Sequence, residues 1–87
     1  MIGESPDVRL RRLRMRSSRR GMLEMDLILG GFAAQRLDGL FPTELDAYEA
    51  VLSENDQDLY QWVSGQGKTP ETHCWIVDRI RSFLAGN

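Results

Sequence analysis

The chain has 87 residues, with 11 Lys and Arg against 13 Asp and Glu, a net charge of −2, and one cysteine. That length makes one small domain, which buries about 60–65% of its unfolded surface and has little room for a deep enclosed active site. A lone cysteine excludes an internal disulfide and suits a reducing compartment. No apolar stretch approaches the roughly 18 residues of a membrane helix, so a soluble protein without membrane insertion is expected.

Charge is polarised along the chain. Seven of the 11 cations lie in residues 9–20, whereas residues 37–67 hold seven acids and no Lys or Arg. Opposite fields of this kind either clamp the first helix onto the rest or steer a partner.

Residues 1–6 read as a flexible N-terminal tail. Asp7 is the expected N-cap of a first helix that carries Leu10 and Leu13 and ends near Ser17–Arg19. An interruption at Gly21 precedes a second helix running to about Leu37. Its Met25, Ile28, Leu29 and Phe32 follow i, i+3, i+4, i+7, and Leu23 and Leu27 broaden the apolar stripe. The Gly30-Gly31 pair costs about 1 kcal/mol per glycine against alanine, which calls for another helix packed close. After a turn at Asp38-Gly39 and Phe41-Pro42, Thr43 is expected to cap a third helix, with Asp46 completing a capping box and Leu45, Tyr48 and Leu52 inside. Asn55 or Asp56 caps a short fourth helix with Leu59, Trp62 and Val63, which Gly65-Gln66-Gly67 ends. Thr69-Pro70-Glu71 supplies a capping hydroxyl, a proline at the first helical position and a first-turn acid. It opens a last helix with Ile76, Ile80, Phe83 and Leu84. With no alternating strand pattern, the fold class is all-α: one domain, a compact bundle of five short helices.

Catalytic sets are missing. His73 beside Cys74 has no further ligands at metal-binding spacing, so no metal is expected. Nothing places a base by a third group for nucleophilic catalysis. The glycines at 30–31, 65 and 67 match neither a phosphate loop nor a dinucleotide fingerprint. The chain is not expected to be an enzyme.

One segment is hard to read as scaffold: Arg19-Arg20-Gly21-Met22-Leu23-Glu24. Its glycine lets another molecule approach the backbone closely. The bland account makes Arg20 and Glu24 a surface ion pair worth about 0.2–0.5 kcal/mol and Gly21 a helix boundary. Arginine before glutamate is, however, the less favourable order, and Arg19 and Arg20 suit poorly the positive end of the second helix. Charges badly placed for the helix point to a partner elsewhere.

The run from Arg9-Leu10-Arg11-Arg12-Leu13 through Ser17-Ser18-Arg19-Arg20-Gly21-Met22-Leu23-Glu24-Met25-Asp26 to Phe32-Ala33 resembles the family of succinate dehydrogenase assembly factors that promote covalent flavin attachment. Its hallmark Arg-Gly-x-x-Glu is met by Arg20, Gly21 and Glu24. A second block agrees: Leu45-Asp46-Ala47-Tyr48-Glu49, then Asp56-Gln57-Asp58-Leu59-Tyr60-Gln61-Trp62-Val63 and Gly65. The resemblance spans about residues 9–84. One departure is Ser18, where members often carry an aromatic residue.

The resemblance implies a five-helix bundle that binds the flavoprotein subunit of succinate dehydrogenase, or in some bacteria fumarate reductase. It helps a client histidine become joined to the 8α-methyl of FAD, a cofactor that belongs to the client and is not held stably by the factor. The implied partner-binding set is Arg19, Arg20, Gly21, Glu24 and Asp26. Gly21 permits close approach, Arg20 offers its planar fork, Glu24 orients Arg20 or pairs with a client cation, and Arg19 and Asp26 support the surface. Phe32, Tyr48, Leu59 and Trp62 are assigned mainly to the core. The alternative is a nucleic-acid-binding or antitoxin-like module using the arginine-rich first helix, disfavoured by the acidic overall balance. A free monomer is the default. The bacterial cytoplasm is expected ahead of the mitochondrial matrix, because no separable presequence is visible.

Overall fold

A computed structural model describes residues 3–86, and these form five α-helices: α1 (Pro6–Ser18), α2 (Leu23–Arg36), α3 (Pro42–Leu52), α4 (Asp56–Val63) and α5 (Cys74–Leu84). Short 3₁₀ turns occupy Leu37–Gly39 and Glu71–His73, and no strand occurs among the described residues. The expected all-α five-helix bundle is therefore present, 41 Å long and 25 Å across.

Prolines, more than capping hydroxyls, set two of the starts. Pro6 and Pro42 open α1 and α3, positions where a missing N–H costs nothing and a fixed φ favours the helix. The cap of α1 is thus Ser5, whose Oγ accepts the Val8 amide at 3.2 Å, and not Asp7. Likewise α3 begins after Phe41, and Glu44, not Asp46, reaches back to accept the Phe41 amide at 2.8 Å. Of the expected tail, Met1 and Ile2 lie outside the described residues, while Glu4 accepts two hydrogen bonds of 2.7 Å from Arg12. At α4 the cap is Asn55, whose Oδ1 accepts the Gln57 amide at 2.8 Å. Gly65, at φ 80°, ends that helix: the Gln66 amide returns to the Gln61 carbonyl at 2.9 Å, a closure that only a left-handed residue allows cheaply. Pro70 departs from expectation. It is extended, and the chain enters α5 through a 3₁₀ turn.

The core follows the 3.6-residue period. Leu13 of α1, Met25 and Leu29 of α2, Tyr48 and Val51 of α3, and Leu59 of α4 are fully buried. Val77 and Ile80 of α5 close it. Burial of each such side chain contributes about 1.5–3 kcal/mol. Phe32 stacks on Tyr48 at 5.5 Å between centroids and meets the edge of Phe83 at 5.6 Å. Of the residues assigned to the core, Trp62 is only partly buried. Leu23 and Leu27 are 69% exposed and so lie off the buried stripe of α2.

The glycine pair of α2 has the expected close neighbours. A Cβ at Gly30 would sit 3.3 Å from Ser18 Cβ on α1, and one at Gly31 would sit 3.8 Å from the Phe83 ring on α5. Ser17 and Tyr48 join α1 to α3 inside the core. The Ser17 hydroxyl donates to the Leu13 carbonyl at 2.7 Å, leaving its oxygen to accept from the Tyr48 hydroxyl at 2.6 Å. Outside, Glu49 of α3 takes Arg12 at 2.8 Å and Arg9 at 3.2 Å, with Arg16 at 3.7 Å. Arg9 also binds Asp46 at 2.6 Å, and Arg14 pairs with Asp38. The arginine-rich helix is clamped to the acidic middle of the chain.

Candidate functional site

Between α1 and α2 lies a four-residue linker, Arg19–Met22. Met22, the N-cap of α2, is extended and offers no side-chain cap, so what holds the linker must come from outside it. Three acceptors on other elements do this for Arg20. Its Nε donates to Asp56 Oδ1 at 2.7 Å, Nη1 to the Leu52 carbonyl at 2.6 Å, and Nη2 to the Glu54 carbonyl at 3.0 Å. The two carbonyls stand at the end of α3, where the last turn leaves acceptors unpaired and the helix dipole favours a cation. Asp56 stands in the first turn of α4, where the dipole favours an anion. The pair is thus matched to both helix ends, and its side chains are only 10% and 19% exposed.

The linker backbone is fixed as well. The Arg20 amide donates to Asp26 Oδ1 and the Gly21 amide to Asp56 Oδ2, the latter at 3.1 Å. Gly21 itself is exposed, and its φ lies outside the left-handed region. A Cβ built there would meet only Asp56 Oδ2, at 4.0 Å. Gly21 and Met22 form one wall of an open depression of about 490 Å³, with Asn55, Asp56 and Gln57 as the other.

These positions revise two sequence expectations. The Arg20 fork is not turned outward; it is spent inside the fold. Glu24 does not orient it, because the four-residue spacing brings two side chains together only when both are helical, and Arg20 precedes α2. Glu24 is exposed and makes no ion pair among the described residues. Asp56 does the orienting, from 36 positions away in sequence. Nothing in the local pattern links positions 20 and 56. The only hint is that Asn55 suffices as the cap of α4, which frees the neighbouring carboxylate. Arg19 is exposed on the linker, and Asp26 supports it through the Arg20 amide.

Around this centre, Leu23 and Leu27 present two exposed apolar rungs one turn apart on α2. Ser18 lies directly over the bare Gly30. Behind Arg20, Glu54 accepts from His73 Nε2 at 2.7 Å, and His73 lies against Trp62 with centroids 5.7 Å apart. An ionised carboxylate can only accept, so the imidazole donates there. His73 is therefore a packing residue. Four of the five arginines on α1 are paired with acids, which leaves the first helix a poor phosphate-binding surface. No group of three or more potential metal ligands occurs among the described residues, nor any helix long and apolar enough to cross a membrane.

Residues 11–84 match the family model described as flavinator of succinate dehydrogenase. Among curated proteins, the chain is similar to the succinate dehydrogenase assembly factor 2, mitochondrial, of several organisms. It is 48% identical to that of Candida glabrata over 94% of this chain and 57% of the relative. For Kluyveromyces lactis the figures are 44%, 93% and 53%, and for Danio rerio 34%, 93% and 53%. The chain thus spans a little over half the length of these relatives. Their mitochondrial names overturn the expected bacterial cytoplasmic location. That expectation rested on the lack of a presequence, which carries no weight in a chain covering only part of its relatives. Taken with the five-helix fold and the Arg20–Gly21–Glu24 segment, the match over residues 11–84 means that the chain belongs to the flavinator of succinate dehydrogenase family.

Proposed function

We propose that this protein is an assembly factor that binds the flavoprotein subunit of succinate dehydrogenase and promotes covalent attachment of FAD to it, in mitochondria. The observation that carries this is Gly21. Its backbone faces solvent, and the free chain has both the space and the φ for a side chain there. A glycine that its own fold does not require is explained by a partner that comes close.

The contact face is then the Gly21 edge and its depression, with the exposed Arg19, Leu23, Glu24 and Leu27 around it. Such a face offers apolar area with a cation and an anion beside it, a composition suited to a specific protein interface. The bond between flavin and histidine is made by the client and its FAD. This chain acts by binding and is not itself the catalyst. FAD is assigned to the client, whose histidine forms the bond. The free protein is a monomer, its apolar residues being largely used in one core.

Removal of the gene tests this, read by in-gel flavin fluorescence of the flavoprotein subunit. Loss of the fluorescent band, restored by this chain, is expected. A band of full intensity without the protein excludes the function. Retention on heparin at about 0.15 M salt would instead favour nucleic-acid binding.

A further inference from the structure

We infer that Asp56 is a positioning residue for partner docking: through Arg20 and the Gly21 amide it presets the exposed linker edge before the flavoprotein arrives. This rests on the docking role of the Gly21 edge proposed above. It adds a residue outside the hallmark segment and gives Arg20 a different job from partner contact.

The geometry divides the work of one carboxylate. Asp56 Oδ1 takes the Arg20 side chain at 2.7 Å, and Oδ2 takes the backbone of the next residue at 3.1 Å. The preceding amide, that of Arg20, is taken by Asp26 from α2. Two consecutive peptide N–H groups are thereby held by carboxylates from two different helices. The linker has no cap of its own at Met22, and Gly21 is its least restricted residue. Without Asp56 the Gly21 peptide would have to be ordered when the partner binds, which lowers affinity. Asp56 also lines the depression beside Gly21, so the group that fixes the edge is part of the surface the partner meets.

If Arg20 acts through Asp56, the two form one unit and their losses do not add. Asp56→Asn is the informative variant. It keeps the shape but replaces one acceptor by an NH₂, which must face either the Arg20 Nε–H or the Gly21 N–H, both donors.

The test uses the 87-residue chain and the isolated flavoprotein subunit of succinate dehydrogenase. In Asp56→Asn, amide hydrogen exchange at Gly21 should speed by about tenfold or more, while Leu29 and Ile80 keep their protection. Affinity for the flavoprotein subunit, measured by calorimetry on protein checked for helicity by circular dichroism, should fall about tenfold. Arg20→Ala should fall by a similar factor, and the double variant should bind no more weakly than the weaker single one. Unchanged Gly21 exchange, unchanged affinity in a folded Asp56→Asn protein, or additive losses would each overturn the positioning role. A purely structural Asp56 would lower the melting temperature and leave the affinity of the folded fraction untouched. If Asp56→Asn fails to fold, Asp56→Glu serves instead: it keeps the charge but moves both oxygens out by one methylene, and faster Gly21 exchange is again expected. Gly21→Trp separates the two claims. Full affinity in that variant overturns the docking function itself, whereas lost affinity there with normal binding by Asp56→Asn overturns only the positioning role.

Discussion

Arg20 and Asp56, 36 positions apart in the chain, meet at 2.7 Å between the end of α3 and the start of α4, with each charge set against the helix end that favours it. The Arg20 side chain thus ties the α1–α2 linker to the end of α3 and the start of α4. The most conspicuous cation of the hallmark segment therefore acts inside the molecule.

Replacing Arg20 by lysine keeps the charge but loses the fork. An ammonium cannot span Asp56 and the Leu52 and Glu54 carbonyls with the same geometry. Arg20→Lys should cost about 1.5–3 kcal/mol, the usual value for hydrogen bonds to charged groups. In a domain of this size that lowers the melting temperature by roughly 6 °C or more, readable by calorimetry. A melting temperature equal to that of the wild type would mean the fork carries no weight.

Glu49 is the hub of the α1–α3 clamp, and it gives a pH signature. The hydrogen bond from Arg12 holds its carboxyl below the usual carboxylate range against the opposing effect of burial, and Arg9 adds to the shift. A depressed folded pKa contributes stability that is complete above the unfolded value of about 4.3 and is lost as pH falls through the folded one. Unfolding free energies of the wild type and Glu49→Gln from urea titration should differ at pH 7, by no more than about 1 kcal/mol per pair, and converge as pH falls through the depressed folded value. High salt should narrow the gap. A difference that persists in acid would place the effect in packing.

Tyr48 should titrate late. Burial pushes its phenol up to about 12, a shift larger than the opposing effect of Ser17. Spectrophotometric titration should show the Tyr48 phenol ionising only close to unfolding. Because the unfolded chain releases this proton near pH 10, stability should decline between about 10 and 12. Ionisation of Tyr48 near pH 10 in folded protein, read in a Tyr60→Phe variant, would contradict the buried placement.

The paired glycines of α2 should respond differently. At Gly31 a methyl meets Phe83 at 3.8 Å, an ordinary contact, so Gly31→Ala should stabilise by about 0.5–1 kcal/mol in denaturant unfolding. At Gly30 the 3.3 Å approach to Ser18 consumes that gain, and anything larger should force α1 away. A destabilising Gly31→Ala would refute this packing.

Much of the fold could be read from residue patterns. The periodicity of Met25, Leu29 and Phe32, the glycine punctuation at Gly65 and the Asn55 cap all act locally, and all stand where the sequence puts them. The misplacements were local competitions: Pro6 and Pro42 outweighed Asp7 and Thr43 as starting points because a proline fits only at the head of a helix. Leu23 and Leu27 extend the apolar stripe by periodicity yet stand exposed, because periodicity does not reveal how wide a face the neighbours cover. The segment around Gly21 was visible, but its inner wiring was not. The Arg20–Asp56 contact depends on how α3 turns into α4, and no spacing rule reaches across 36 residues.

On the function proposed above, the bare Gly21 edge is what the flavoprotein subunit meets. The measurement that tests it most directly is covalent flavin on that subunit, read by in-gel fluorescence in cells whose only copy of this protein is Gly21→Trp. Gly21 is exposed and an added Cβ there meets nothing nearer than Asp56 Oδ2 at 4.0 Å, so the purified variant should melt like the wild type. A stable, helical variant and a flavoprotein band without fluorescence are expected. A stable variant that supports a fully fluorescent band would contradict this contact.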